Sequence, residues 1–139
     1  MKTEVNLTCW SKSMTLEEVN AWTGVKPSFG HNRGDRNSLG KKRKYTRWCQ
    51  VSEIRSLRRV QSEIADHLRH WNKCLAGRKR PRGLEAIIEV VMYFDEFAAG
   101  FTLDPSVMRL MADSDVKCEV VVYRCTPSTA KPRKRKRAK

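Results

Sequence analysis

Ser52–Gly77, SEIRSLRRVQSEIADHLRHWNKCLAG, contains the strongest regular pattern of the chain. Apolar residues recur in it at steps of three or four, which places them on one face of an α-helix. Ser52 is a suitable N-cap residue, and Gly77 suits the left-handed turn that ends many helices. The stretch therefore predicts one long amphipathic helix. Its apolar face consists of Ile54, Leu57, Val60, Ile64, Leu68, Trp71 and Leu75.

Strand patterns lie on both sides of this helix. Leu84–Phe94 alternates apolar and polar residues, and Ile87 and Val91 on its second face favour a central place in a sheet. The other predicted strands are Glu4–Trp10, Tyr45–Val51 and Val116–Tyr123.

Two shorter helices are indicated by their caps. Thr15, followed three residues later by Glu18, forms a capping-box pattern, and Gly24 supplies the stop. The other short helix is expected to use Asp104 as its cap and Pro105 as its first residue.

Together these elements predict an α+β fold. We expect a single sheet of about four strands with helices packed on one face, in the order β-α-β, long helix, β-α-β. Each β-α-β unit is expected to make a right-handed crossover. Ser28–Lys44 has no periodicity and is interpreted as a long exposed loop. The domain is expected to cover residues 1–126, and residues 127–139 are expected to form a disordered basic tail.

The chain carries a large surplus of positive charge, with 29 Lys and Arg against 15 Asp and Glu and a net charge of +14. Lys131–Lys139 contributes seven of these charges and no acid, so the rest of the chain is also basic, at +7. Such a surplus favours nucleic acid or another acidic surface as partner, because neutralised phosphates release their counterions. A basic surface that serves solubility is the alternative.

The cysteines and the apolar runs indicate a cytoplasmic protein. Five cysteines, an odd number, lie far apart, which is typical of reduced thiols and not of a disulfide framework. The N-terminus leads into no apolar signal segment, and no run approaches the roughly 20 apolar residues of a membrane span. We therefore expect no membrane association.

Three basic clusters are the candidate polyanion-binding residues. Tyr45 and Trp48 are interleaved with the first cluster and would stack on bases if exposed, although Trp48 fits the core better. If the sheet brings the first two clusters to one edge, they form a single patch. The clusters are Lys41, Lys42, Arg43, Lys44 and Arg47 at the end of the loop; Arg78, Lys79, Arg80 and Arg82 after the long helix; and Lys131, Arg133, Lys134, Arg135, Lys136 and Arg137 in the tail.

One stripe of the long helix carries Glu63, His67, His70 and Cys74, at a spacing that a metal could bridge. A shoulder of half-buried residues beside the apolar face explains the stripe equally well. The sequence contains no Gly-rich phosphate loop, no G-x-S-x-G elbow and no CxxC pair. We therefore expect no metal, no cofactor and no enzymatic activity.

Motifs spread over about residues 3–125 resemble the bacterial domain-of-unknown-function 4279 family. The resemblance implies an α+β domain found in bacteria and their mobile elements, and it implies no activity. The strong positive charge and the basic tail depart from the family's usual acidic or neutral composition. The matching motifs, in the family's order, are Thr15–Val19, Gly24–Pro27, Arg33–Asp35, Trp48, the long helix, Gly100–Leu103 and Val121–Tyr123.

The sequence supports two hypotheses of function. The first is a basic accessory protein that binds nucleic acid, DNA or RNA, mainly through phosphates and without sequence specificity, since no base-reading motif is present. The second is a phage- or mobile-element-type inhibitor that binds a host protein or nucleoprotein complex through its folded surface.

Overall fold

The computed structural model of the chain describes residues 2–94 and 100–124. Within these ranges the strands form one sheet, and helices connect all of them except the second and the third, which a loop joins. The α+β class and the single sheet are therefore confirmed. In chain order the elements are β1 (Lys2–Ser11), α1 (Leu16–Thr23), β2 (Phe29–His31), β3 (Thr46–Ile54), a 3-10 turn (Leu57–Arg59), α2 (Val60–Leu75), β4 (Leu84–Phe94), α3 (Pro105–Ser114) and β5 (Lys117–Arg124).

The strand order is β2-β3-β1-β4-β5, so β1 is the central strand of the described sheet. β1 pairs antiparallel with β3 and with β4, and β2 pairs antiparallel with β3. β4 and β5 pair in parallel, with α3 as the connection between them. Ser11, at the end of β1, pairs with Thr46 at the start of β3 and with Leu84 at the start of β4.

The prediction of about four strands missed β2, which lies inside the stretch interpreted as an exposed loop. From β1 the chain runs through α1 to β2, which is not adjacent to β1. It then turns back and forms β3 between β2 and β1. β1 and β3 are therefore antiparallel, and the crossover expected for the first unit does not join adjacent strands. A strand of three residues is too short to produce an alternating pattern in the sequence.

The segment between β2 and β3 is folded back on itself like a small hairpin. Gly34 N donates to Arg43 O at 2.9 Å, and Arg43 N donates to Asp35 O at 2.7 Å. At the tip, Asn37 N donates to Lys41 O, and Asn37 Oδ1 accepts from Lys41 N at 3.0 Å. We call residues 32–45 the basic loop. Hydrogen bonds within this loop hold its lysines and arginines in place, and the apolar periodicity of the sequence gives no sign of these bonds.

The long helix begins later than its apolar spacing predicts. Ser52 and Ile54 belong to β3, where Ile54 pairs with Thr3 of β1. Ser56 Oγ then accepts from Arg58 N and begins the 3-10 turn, after which α2 starts at Val60. Ile54, Leu57 and Val60 are three residues apart and so fit a helical spacing, although Ile54 lies in the strand. The pairing of Ile54 with a distant strand is not visible in local spacing.

The hydrophobic core lies between the helices and one face of the sheet. Val5, Leu7 and Cys9 of β1 contribute to it, together with residues of β3, β4 and the helices. Trp71 of α2 is fully buried, and its ring meets that of Trp22 edge to face at a centroid distance of 5.2 Å. Burying one such large side chain contributes roughly 1.5–3 kcal/mol to folding. We call the sheet face away from the helices the outer face.

The predicted caps of α1 are confirmed. Glu18 N donates to Thr15 Oγ1 at 3.2 Å, and Gly24 ends the helix in the left-handed region at φ 68°. α3 begins at Pro105 as predicted, but the Asp104 side chain makes no capping bond to its own helix. Its carboxylate accepts from Gln61 Nε2 at 3.0 Å instead, which ties α3 to α2.

Gly30 of β2 lies where β2 passes close to β3 and α1. A Cβ atom at this position would lie 2.7 Å from Arg47 O and 2.7 Å from Leu16 Cδ1. We expect Gly30→Ala to lower the free energy of unfolding by about 1–3 kcal/mol, because the backbone oxygen cannot yield. Urea denaturation measures the change. Gly100→Ala is the matched control, since a Cβ there meets no atom within 4 Å, and an equal loss of stability in both variants would contradict the prediction.

Candidate functional site

The first two basic clusters lie at the same end of the sheet. The basic loop leads into β3 at Thr46, and the turn after α2 leads into β4 at Leu84. Both residues pair with Ser11, so the starts of β3 and β4 lie on either side of the end of β1. We call this part of the molecule the basic end.

Polar and aromatic side chains line the outer face at the basic end. Side chains alternate along a strand, and Cys9 and Trp48 point into the core, so Trp10 and Arg47 point to the outer face. Trp10 pairs with Arg47 on one side and with Glu85 on the other. Indole Nε1 of Trp10 donates to Glu85 Oε2 at 2.9 Å.

Arg47 reaches across β1 to a second carboxylate. Its Nη2 lies 3.3 Å from Glu89 Oε1 on β4, in a part-buried ion pair. The guanidinium also lies over the ring of Phe29, 5.2 Å from the centroid. Arg47 Nε is buried and has no hydrogen-bond partner within the described part of the chain. Arg47 is therefore held in place while one of its donors is left unused.

The basic loop and the outer face together enclose a cleft of about 1000 Å³. One wall is the segment Lys41–Tyr45 of the loop, and the floor is the outer face of β1, β3 and β4. His31 of β2 lies at the side of the cleft, and its Nδ1 is buried without a hydrogen-bond partner in residues 2–94 and 100–124. The side chains of the floor include Trp10, Arg47, Glu85 and Glu89.

The electrostatics of the cleft are mixed, with cations on the wall and two carboxylates on the floor. Burial lowers the pKa of His31 below its usual value of 6.5, and the nearby Arg43 and Arg47 lower it further. His31 is therefore neutral at pH 7, and the positive charge comes from lysine and arginine. Within the cleft, each floor carboxylate already accepts a hydrogen bond, Glu85 from Trp10 and Glu89 from Arg47.

Two arginines of the second cluster have structural tasks. Arg78 Nε donates to Cys74 O at 2.9 Å, and its guanidinium lies over the Trp22 ring at 5.3 Å. Arg80 lies 3.6 Å from the Asp115 carboxylate at the end of α3. Lys79 and Arg82 are exposed, and Arg82 precedes Gly83 at the border of the cleft.

The remaining predicted site residues fall in the tail. Lys131, Arg133, Lys134, Arg135, Lys136 and Arg137 lie outside the described residues, as does the predicted tail as a whole.

The aromatic residues beside the first cluster differ in role. Trp48 is fully buried, and its Nε1 donates to Val25 O, so it belongs to the core. Tyr45 is 43% exposed, and Lys12 Nζ lies 5.4 Å from its ring centroid. Trp10 was not predicted as a site residue. The signal that could have found it is its even position in β1, opposite to the buried Val5, Leu7 and Cys9.

The stripe considered for a metal is used by the fold in another way. His67 is buried, and its Nε2 lies 3.0 Å from both Ser52 Oγ and Val5 O, which links α2 to β3 and β1. Glu63 pairs with Arg59, and Cys74 donates to Thr23 O. In the described ranges, no group of three or more His, Cys, Asp or Glu is placed to hold a metal ion.

The buried His67 couples stability to pH. Burial lowers its pKa below 6.5, so the unfolded chain takes up a proton at a pH where the folded chain does not. The contribution of neutral, buried His67 to the free energy of unfolding is therefore fully present above about pH 6.5. It is lost as the pH falls from there towards the lower pKa of the folded state. We expect the urea midpoint to fall between about pH 7.5 and about pH 5.5, and His67→Gln to remove part of that fall.

His70→Gln is the control for this measurement, because it changes the half-buried histidine three residues further along α2 and keeps His67, whose pKa is lowered mainly by its own burial and to a lesser extent by His70. The fall at acidic pH should persist in it. An unchanged fall in His67→Gln would show that other groups cause the pH dependence.

The chain matches the family described as "Domain of unknown function (DUF4279)" over residues 1–124. It belongs to this family. The resemblance inferred from the ordered motifs is thereby confirmed, and the DUF4279 match ends at the last residue of β5. No curated protein and no solved structure matches the chain. No described helix is long and apolar enough to cross a membrane.

Proposed function

We propose that this DUF4279 protein is a non-enzymatic, cytoplasmic accessory protein that binds nucleic acid through the basic end of its sheet. The observation that carries the proposal is the pairing of Ser11 with both Thr46 and Leu84, which brings the segments that precede β3 and β4, each with a basic cluster, to one end of the sheet. The buried state of Cys9, Cys49 and Cys74 as free thiols supports the cytoplasm as compartment.

Phosphate contacts suit the shape of the basic end. Lys41, Lys42 and Lys44 belong to a loop that its own hydrogen bonds hold in place, so little ordering is needed when they meet a ligand. Backbone phosphates are recognised by such cations without regard to sequence. A binding role is favoured over catalysis because the carboxylates of the cleft are engaged by Trp10 and Arg47.

The basic loop makes the strongest test. We expect Lys41→Ala combined with Lys42→Ala to weaken binding to a labelled single-stranded oligonucleotide about tenfold near physiological salt. Each lost phosphate contact also makes the logarithmic salt dependence less steep, by about 0.7 for a single strand. Fluorescence anisotropy over a salt series gives both quantities.

The matched control removes the same charge from the opposite end of the sheet. Arg55 and Arg58 follow the end of β3, where Ile54 pairs with Thr3. Arg55→Ala combined with Arg58→Ala should leave affinity and salt slope nearly unchanged. Equal losses in the two double variants would show that net charge acts without a site, and a full chain that binds no nucleic acid would refute the proposal.

A chain ending at residue 126 separates the folded domain from the tail in the same assay. If the domain presents the phosphate site, the shortened chain still binds and keeps its sensitivity to Lys41→Ala and Lys42→Ala. Binding by the full chain together with none by the shortened chain would move the site to the tail.

One observation favours the second candidate, an inhibitor that binds a host protein or nucleoprotein complex. β5 is the last strand in the described sheet order, and Val120, Val122 and Tyr123 on it are 47%, 55% and 53% exposed. Apolar side chains on an edge strand are a common template for a protein partner.

The edge strand is tested by Val120→Lys combined with Val122→Lys, which blocks an apolar partner and leaves the basic end intact. If the protein is an inhibitor, this variant loses a host protein that the wild type captures from lysate, while its nucleic-acid affinity does not fall. Capture that persists in the variant would exclude β5 as the contact surface.

A further inference from the structure

The cleft at the basic end has features that phosphate binding does not need. Its floor carries an indole, an arginine and two carboxylates, whereas a phosphate site gains nothing from carboxylates. We propose that the cleft takes an unpaired nucleobase from a single strand, while the lysines of the basic loop hold the neighbouring phosphates. This inference rests on the proposed function and adds to it a preference for single strands.

Aromatic surface is available at the cleft in two places. Trp10 is half-buried on the floor, and Tyr45 on the wall is 43% exposed. The Trp10 ring is held by the hydrogen bond from its Nε1 to Glu85 Oε2 at 2.9 Å. A ring fixed in this way loses little freedom when a base stacks on it, and every base has a flat face that can do so.

Polar groups on the floor match the edge of a base better than a phosphate. The Arg47 side chain is still 36% exposed beside its ion pair with Glu89, so part of this side chain can be reached from the cleft. Guanidinium groups donate to the ring nitrogen and carbonyl acceptors of bases, and carboxylates accept from base amino groups. Glu85 and Glu89 would repel a phosphate on the floor, which places the backbone at the lysine-rich wall.

Size and access point to an unpaired base. A volume of about 1000 Å³ is at the upper end for a small-ligand pocket and leaves room for a base with its sugar. In a duplex the base faces are stacked on their neighbours, so a protein reaches them only after unstacking and unpairing. Single strands present these faces without that cost.

The experiment compares four probes with the full-length protein by fluorescence anisotropy. They are a single strand of about eight nucleotides, a strand of equal length with abasic sugars, a duplex of equal length and a nucleoside monophosphate. We expect the base-containing strand to bind about tenfold more tightly than the abasic strand and the duplex. The free nucleotide should bind far more weakly, because it lacks the neighbouring phosphates.

Two substitutions at one position separate stacking from folding. Trp10→Leu keeps an apolar side chain but removes the aromatic face, and it should abolish the preference for the base-containing strand without changing affinity for the abasic strand. Trp10→Phe loses the hydrogen bond to Glu85 but keeps a flat ring, and it should retain most of the preference. Urea denaturation of both variants verifies that they fold.

Intrinsic fluorescence supplies an independent readout. The chain has four tryptophans, of which Trp48 and Trp71 are fully buried and Trp22 packs on Trp71. Stacking of a base on Trp10 should therefore quench part of the emission, and that part should be missing in Trp10→Phe.

The outcomes distinguish this inference from the function on which it rests. If the four probes bind according to their charge and Trp10→Leu changes nothing, the base site is wrong and phosphate binding stands. If the monophosphate binds as tightly as the strand, a free nucleotide is the ligand, and the inference of a strand is overturned. If no probe binds, both proposals fail.

Discussion

The pairing of β1 with β3 on one side and β4 on the other is the constraint on which the rest of the structure depends. It fixes which residues of β1 enter the core and which face outwards, since a shift by one residue would exchange the two sets. Val5, Leu7 and Cys9 then meet the helices, while Trp10 meets Arg47 and Glu85 on the outer face. The same pairing brings the starts of β3 and β4 to one end of the sheet. The register of β1 therefore determines both the composition of the core and the position of the basic end.

Much of this architecture is visible in local sequence, because some signals need no partner to be understood. The capping pair Thr15 and Glu18, the left-handed Gly24 and the alternation of Leu84–Phe94 all predicted their elements. What failed depends on contacts between distant segments. β2 is only three residues long, and β3 extends to Ile54 because it pairs with Thr3, which no local pattern reports.

The candidate site divides in the same way. The cations of the basic loop and of the turn after α2 are identified by composition, because a run of lysines and arginines is visible wherever it folds. Composition does not show how these cations are arranged in space. It also does not show that Arg78 contacts Trp22 and the end of α2. Trp10 is missed because its significance comes from a neighbour 75 positions away, Glu85, to which its indole donates.

The charged groups of the cleft act over two different distances, the lysines at long range and the floor carboxylates at short range. Exposed lysines act over about a Debye length of 8–10 Å and draw an anion towards the basic end regardless of its detail. Glu85 and Glu89 act at contact distance, where they oppose a bare negative charge and accept hydrogen bonds from groups that can donate. On the proposed function, Lys41–Lys44 would therefore supply the attraction, and the floor of β1, β3 and β4 would supply the selection.

The parallel pairing of β4 with β5 places the last described residue of the chain far from the basic end. β4 starts at the basic end and β5 runs beside it, so Arg124 lies level with Phe94, about 33 Å from Leu84 along the strand. Lys131 follows Arg124 by seven residues, which even a fully extended chain covers in only about 24 Å. Reaching the level of Leu84 from Arg124 therefore takes about ten fully extended residues. On the proposed function, a polymer bound by both the basic loop and the tail would gain avidity, because its second contact would form at the high effective concentration that the first contact creates.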